Sequence, residues 1–369
     1  MIAILLTMQN HPETSIKAYW TSKHVIYPFT RHMGLCRFEA LLRHVKIYPS
    51  TEKETYPRLN EWSSHIQQAM ANTYTPGSHV AVDECIQGFT GRSALKTTIP
   101  NKPTPVGFKL WALAQAGLFL RWIWHVPGKG PVGIKKRKTA ESLNPTQQVV
   151  VHLLDKLPNA PYHIFLDNLF ISPKLFKMLR HKGIGTSGTS RINSGIFSEL
   201  VDEKKKPDPK KHWGWIRTVP TQDGLVNQFA WKDAEIVLFL STVLPETDTV
   251  LVNRRRPAKN NTQAKKKKKI WEEFYGEYEK VLPIPTAINE YNHNMGYVDV
   301  GDQLRASYNW GHRWCRGVWQ PLTWGFLLAV VAVNSYLLDR DFGNWSKKAT
   351  GKEPRSHIEW RGDPCSSTL

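Results

Sequence analysis

The residues best suited to chemistry in this 369-residue chain are acids standing where an acid is costly. In HVAVDECIQGF, His79 to Phe89, the β-branched Val80, Val82 and Ile86 read as a central strand, bounded by Thr75, Pro76 and Gly77 and by Gly88 and Gly91. Burying Asp83 and Glu84 there costs on the order of several kcal/mol unless a cation, a metal or hydrogen bonds meet each carboxylate. YHIFLDNLF, Tyr162 to Phe170, repeats the design, with Asp167 ending an apolar run just before a helix start at Ser172-Pro173. In GYVDVGDQL, Asp299 and Asp302 are spaced i, i+3, which puts both on one face if Asp299 opens a helix continuing toward Tyr308. Taken singly, each site has an ordinary reading: an ion-pair member, a turn or cap residue, a helix N-terminus favoured by the dipole. Taken together they form a set of hard oxygen donors from separate elements. Two divalent cations about 4 Å apart in such a set can activate a nucleophile and stabilise a leaving oxygen in phosphoryl transfer.

Three blocks carry a specific resemblance: VDECIQGFTGRSALKTTIPNKPTPVGFKLW, FLDNLFISPKLFKMLRHKGIGTSGTSRIN and GYVDVGDQLRASYNW, in that order. They resemble the DDD blocks of piggyBac-type transposases, and the likeness runs from about Tyr19 to about Arg340, including the blocks at Trp231 and Leu240 and the late VNSYLL helix. The resemblance implies an α/β fold with an RNase H-like catalytic core, a helical amino-terminal domain and a basic β-containing insertion subdomain. It implies catalysis by Asp83, Asp167 and Asp299, with Asp302 as auxiliary acid. The first three would hold two Mg²⁺, with Mn²⁺ able to substitute. The implied reaction is DNA transposition: metal-activated water cleaves a transposon end, and the liberated 3′-hydroxyl attacks the opposite strand and later target DNA. Family members favour TTAA targets and often act as dimers, so the implied partners are double-stranded DNA, as ends and as target, and a second copy. Two departures stand out: Ser194 replaces the second arginine of a G-T-x-R-x-N-R block, and Tyr297 stands where the family commonly has glycine.

Composition points to the same partner. Fifty Lys and Arg against 31 Asp and Glu give a net charge of +19, which implies a polyanion. The basic residues occur in clusters along the chain, which favours nucleic acid over a membrane surface. Four cysteines without C-x-x-C spacing predict neither a zinc module nor a disulfide framework, and a reducing compartment. The apolar run Leu322 to Leu338 is about 17 residues long and reads as a buried core helix, not a membrane span. The amino-terminal MIAILLTM lacks the basic n-region and cleavage site of a signal peptide.

Five segments follow: a helical domain over 1–74, the first part of the core over 75–196, the basic insertion over 197–290, carboxyl-terminal core helices over 291–345 and a flexible tail over 346–369. The tail lacks the cysteine-rich zinc module of many family members, so the chain reads as a catalytic unit without appendages. The rigid basic loop after the first acidic strand holds Arg92, Lys96, Lys102 and Lys109 where a phosphate could be bound at low ordering cost. Arg191 and Asn193 match a family block that follows the second acid. In the insertion, Arg254 to Arg256 and Lys265, Lys266 and Lys267 within the run Lys265 to Lys269 suit a nuclear import signal or a DNA-facing arm, which predicts a nuclear protein. IWEEFYGEYEKVL is expected to be an acidic amphipathic helix. Near the end, Trp310, Trp314, Trp319 and Trp324 alternate with Arg313 and Arg316, a mixture that could stack bases or fill a core. The rival reading is a domesticated DNA-binding protein without catalysis, with a generic nuclease as a weaker third.

Overall fold

The computed structural model describes residues 1–23, 25–100, 102–134, 143–208, 210–256, 271–308, 310–314, 317–343, 351 and 353–362. The chain opens with helices α1 (Ile2–Asn10), α2 (Ala18–Thr21), α3 (Leu35–His44) and α4 (Pro57–Thr73). Strand β1 (His79–Gly88) leads to β2 (Lys96–Thr98), the hairpin β3 (Val106–Gln115) and β4 (Leu118–Val126), and β5 (Gly130–Pro131). Then come α5 (Pro145–Leu154), β6 (His163–Leu166), α6 (Pro173–His181), β7 (Gly185–Thr189) and α7 (Ser198–Lys205). Strands β8 (Ile216–Thr218), β9 (Asn227–Lys232), β10 (Ile236–Ser241), β11 (Thr249–Arg255) and β12 (Glu279–Pro285) precede α8 (Thr286–Asn294) and α9 (Tyr297–Ala306). A π-helical stretch, Pro321–Leu327, runs into α10 (Leu328–Phe342), and α11 (His357–Gly362) comes last.

The protein forms two compact units. One comprises Met1–Thr75, Glu84–Val132 and Val298–Leu369; the other comprises Pro76–Asp83 and Gly133–Tyr297. Strand β1 therefore contributes its first half to one and its second half to the other.

In the first unit, β3 and β4 turn through Ala116 and Gly117, both at positive φ (49° and 94°), the two-residue turn whose twist suits an antiparallel pair. The helices seal one face of this hairpin with buried polar pairs. Trp122 Nε1 donates to Ser63 Oγ of α4 at 2.9 Å, and the Asn334 side chain of α10 exchanges two 2.9 Å hydrogen bonds with the Phe119 backbone. Gln9 Nε2 donates to the Trp324 carbonyl and Gln320 Nε2 to that of Leu42, so the amino-terminal helices pack against the last ones. Pro321–Phe342 is long and apolar enough to span a membrane, but 83% of its apolar window is buried within the protein, where it supplies core.

In the second unit the strand order is β1-β6-β7-β10-β9-β8, with β6 parallel to β1 and β7, and β10 antiparallel to β7 and β9. Ala81, Phe165, Phe229, Trp231, Phe239 and Ile288 fill its core. Local signals set the helix starts. Asn144 and Gln147 form a reciprocal capping box on α5, and Ser172 Oγ accepts from Leu175 N with Pro173 at the first position of α6.

One expectation is corrected. IWEEFYGEYEKVL is no amphipathic helix: residues 271–273 make a helical turn, Gly276 takes positive φ (88°), and Glu279–Pro285 is a strand in register with β11 from Arg255↔Glu279 to Thr249↔Pro285. The seven-residue ladder outweighs the local helical pattern. Within the 197–290 segment, β10 pairs antiparallel with β7 and extends the same sheet. Helix α11 lies within 346–369, with Trp360 buried and its Nε1 donating to Asp339 Oδ2 at 3.1 Å.

Candidate functional site

The first two acids are brought together by main-chain geometry. The parallel register of β1 and β6 runs from His79↔His163 to Val82↔Leu166, so Asp83 and Asp167 are the next residue on each strand. Asp83 lies mid-strand in β1, just past the end of its ladder with β6, and Asp167 follows the carboxyl end of β6; neighbouring strands are about 4.8 Å apart. Asp83 is only 9% exposed and Asp167 is half-buried. The register of β6 with β7 ends at Leu166↔Gly188, which sets Thr189 beside Asp167 on the next strand. There the Tyr291 hydroxyl of α8 lies 3.2 Å from Thr189 Oγ1. Burial pushes the Tyr291 phenol up to about 12; the Thr189 hydrogen bond opposes this, and the charges of Asp167 and Asp83 add to it. The phenol thus senses both carboxylates. Asn168 Oδ1 accepts from Arg191 Nε at 2.7 Å, and Ser194, in the place of an arginine, donates to the Arg191 carbonyl at 2.7 Å.

The other two acids sit on α9, in the unit that holds the second half of β1. Asp299 is in its first turn, with a half-exposed side chain and Lys102 Nζ at 3.8 Å. Asp302 is one turn on, where its Oδ1 accepts from Arg305 Nε at 3.0 Å and Nη2 at 2.5 Å and from Cys85 Sγ at 3.1 Å. Burial, with the Asp302 charge beside it, pushes the Cys85 thiol well above its ordinary range and keeps it a donor. Burial alone would lower the pKa of the Arg305 guanidinium; Asp302 and Cys85 outweigh it and raise it. Gly301, between the two acids, seats the helix: a Cβ there would stand 2.4 Å from the Gly117 carbonyl of the β3–β4 turn. Tyr297, in place of a glycine, is accommodated by a hydrogen bond from its hydroxyl to Asn294 Oδ1.

Glu84 is tied to Lys109, whose ammonium lies 2.6 Å from Glu84 Oε2 and 4.0 Å over the Trp111 ring. Arg92 is exposed in the loop after β1, Lys96 is half-buried on β2, and Asn193 is exposed after β7. Arg254 pairs with Asp233 at 2.8 Å and Arg255 with Glu279 at 2.9 Å. Lys135 to Lys138, Lys265, Lys266 and Lys267 with the rest of their run, and Arg316 lie outside the described residues. Arg92 and exposed Arg313 line a cavity of about 1180 Å³ with Arg305 and the stacked Trp310 and Trp314, whose rings are 4.8 Å apart. Trp319 and Trp324 are core. Among the described residues, no group of three or more His, Cys, Asp or Glu side chains is arranged to hold a metal ion. Sequence reasoning missed Tyr291, Thr189, Cys85 and Arg305; only the last carried a signal, its i+3 spacing from Asp302.

The profile of the family described as Transposase IS4 matches residues 1–336. The human PiggyBac transposable element-derived protein 2 is 25% identical over 256 residues, which are 68% of this chain and 39% of that protein. The chain belongs to the piggyBac-type transposases. It spans about two-fifths of the length of that curated relative. A cryo-EM structure of a piggyBac transposase synaptic complex with hairpin DNA matches at TM-score 0.72 and 20% identity, covering 98% of this chain and 68% of that one. That likeness gives this piggyBac-type chain the RNase H-like core, and β1, β6 and β7 with the β3–β4 hairpin are its frame. The family as a whole is one of DNA transposition.

Proposed function

We propose that this chain is the catalytic core of a DNA transposase, in which Asp83, Asp167 and Asp299 form the acidic triad for strand cleavage and strand transfer. The observation that carries the reading is the register of β1 and β6, in which Asp83 and Asp167 each follow the last paired residues, Val82 and Leu166. The donor set suits Mg²⁺ or Mn²⁺, since all three are hard oxygen ligands and Asp299 already faces a cation, the Lys102 ammonium. A divalent ion pair held by these acids would supply positive charge to the attacking and leaving oxygens of a phosphodiester.

The chain's own residues supply the rest. Arg92, Lys96 and Lys102 project from the segment after β1 and would hold duplex DNA by its phosphates, as Arg191 and Asn193 would beside Asp167. DNA as partner is supported by the net charge of +19 and by the DNA in the matching synaptic complex. Action as a dimer on paired ends, and nuclear localisation through the Lys265 to Lys269 run, belong to the same reading.

The test is a metal-dependent nicking assay on duplex carrying the DNA that flanks the gene. Asp83→Asn, Asp167→Asn and Asp299→Asn should each reduce cleavage by at least roughly a thousandfold while DNA affinity survives. Near wild-type cleavage by any one removes that acid from the triad. DNA binding without cleavage by the unsubstituted protein would favour a non-catalytic DNA-binding role.

A further inference from the structure

Arg305 is 8% exposed on α9 and is bonded through Nε and both terminal nitrogens. Nη2 donates to the Ile86 carbonyl at 2.9 Å, Nη1 to Gln87 Oε1 at 2.5 Å, and Nε and Nη2 to Asp302 Oδ1, while the guanidinium lies 5.2 Å over the Phe326 ring. One planar group thus ties the acidic helix to the second half of β1 and to the π-helical stretch. A lysine, with one point charge, could not satisfy these acceptors together. Asp302 is occupied in turn. Its Oδ1 takes two N–H donors and the Cys85 thiol, more than its two lone pairs accommodate singly. Asp299, one turn earlier, is 50% exposed, and among the charged groups of the described residues it meets the distant Lys102 ammonium at 3.8 Å.

We propose that Arg305 is the positioning residue of the acidic helix. It holds Asp302 as an anchor against β1, so that Asp302 shapes the site without binding metal and Asp299 alone of the two acts as a ligand. This assignment rests on the triad reading above. It divides two carboxylates that look equivalent in sequence by what each already touches. The guanidinium is buried, so removing Asp302 leaves a charge without its counter-charge, and the two residues must be energetically coupled.

Three measurements on the full chain test the proposal. In calorimetric titration with Mn²⁺ alone, Asp302→Asn, which keeps an oxygen acceptor for Arg305, should change affinity by less than about threefold. Asp299→Asn should weaken it by more than about tenfold. Equal weakening by the two variants would make Asp302 a ligand and overturn the proposal. If neither Asp299→Asn nor Asp83→Asn alters Mn²⁺ binding, the triad reading fails instead. In thermal melting, Asp302→Ala should lower the midpoint strongly, and adding Arg305→Met should restore part of the loss. Additive losses would show that the two side chains are independent, and the anchor would be wrong. Arg305→Lys should fold, yet require a several-fold higher Mn²⁺ concentration for half-maximal cleavage; an unchanged metal requirement would reduce Arg305 to packing.

Discussion

The two acidic pairs are positioned by different physics. Asp83 and Asp167 follow from a parallel ladder: once Val82 pairs with Leu166, the next side chains are neighbours whatever surrounds them. Asp299 and Asp302 share a helix, and their placement depends on contacts the helix makes elsewhere, through Gly301 on the Gly117 carbonyl and Arg305 on Ile86 and Gln87. The ladder is set by many main-chain hydrogen bonds and tolerates side-chain change. The helix is set by a few side-chain contacts, and single substitutions should displace it.

The largest effect should come from breaking the ladder itself. A Cβ at Gly188 would stand 2.4 Å from the Leu166 carbonyl, so Gly188→Val should force β7 from β6. We expect about 3 kcal/mol or more of destabilisation in urea unfolding, with cleavage lost. A stability within 0.5 kcal/mol of wild type, by roughly the scatter of neutral surface changes, would mean that the sheet yields there.

Gly301→Ala should act on the helix pair alone. Its Cβ meets backbone, not a movable side chain, so about 1 to 3 kcal/mol is expected. Hydrogen exchange should quicken in α9 and leave β6 and β7 unchanged. Equal loss of protection in both would erase the distinction drawn between the pairs.

Acid should probe the strand pair from beneath. Burial, aided by the neighbouring His79, pushes the His163 imidazole down to about 4. The unfolded chain binds this proton near pH 6.5 and the folded chain does not, so stability is lost as pH falls from about 6.5 toward 4, by up to about 3 kcal/mol. His163→Phe should remove that part of the pH dependence of the urea midpoint. An unaltered profile would assign the acid sensitivity to other histidines.

The smallest effect is expected of Lys102→Ala. If Lys102 contacts one phosphate, the slope of log affinity against log salt should shrink by about 0.9. An unchanged slope would take Lys102 out of the phosphate contacts.

The sequence by itself determined the elements that rest on local rules. Alternating β-branched residues specify β1, the Ser172-Pro173 start specifies α6, and Gly117 specifies the β3–β4 turn, because caps, turns and periodicity act within a few residues. The three acidic sites were legible for the same reason: an acid at the end of an apolar run is conspicuous without any partner in view. Tertiary structure decided the rest. Glu279–Pro285 is a strand because β11 offers it a full ladder, against a helical local pattern. The difference between Asp299 and Asp302 arises from Cys85, Ile86 and Gln87, more than two hundred residues away in the chain. The burial of a guanidinium and the hydrogen-bond capacity of one carboxylate oxygen depend on which distant groups meet, and no local pattern encodes that meeting.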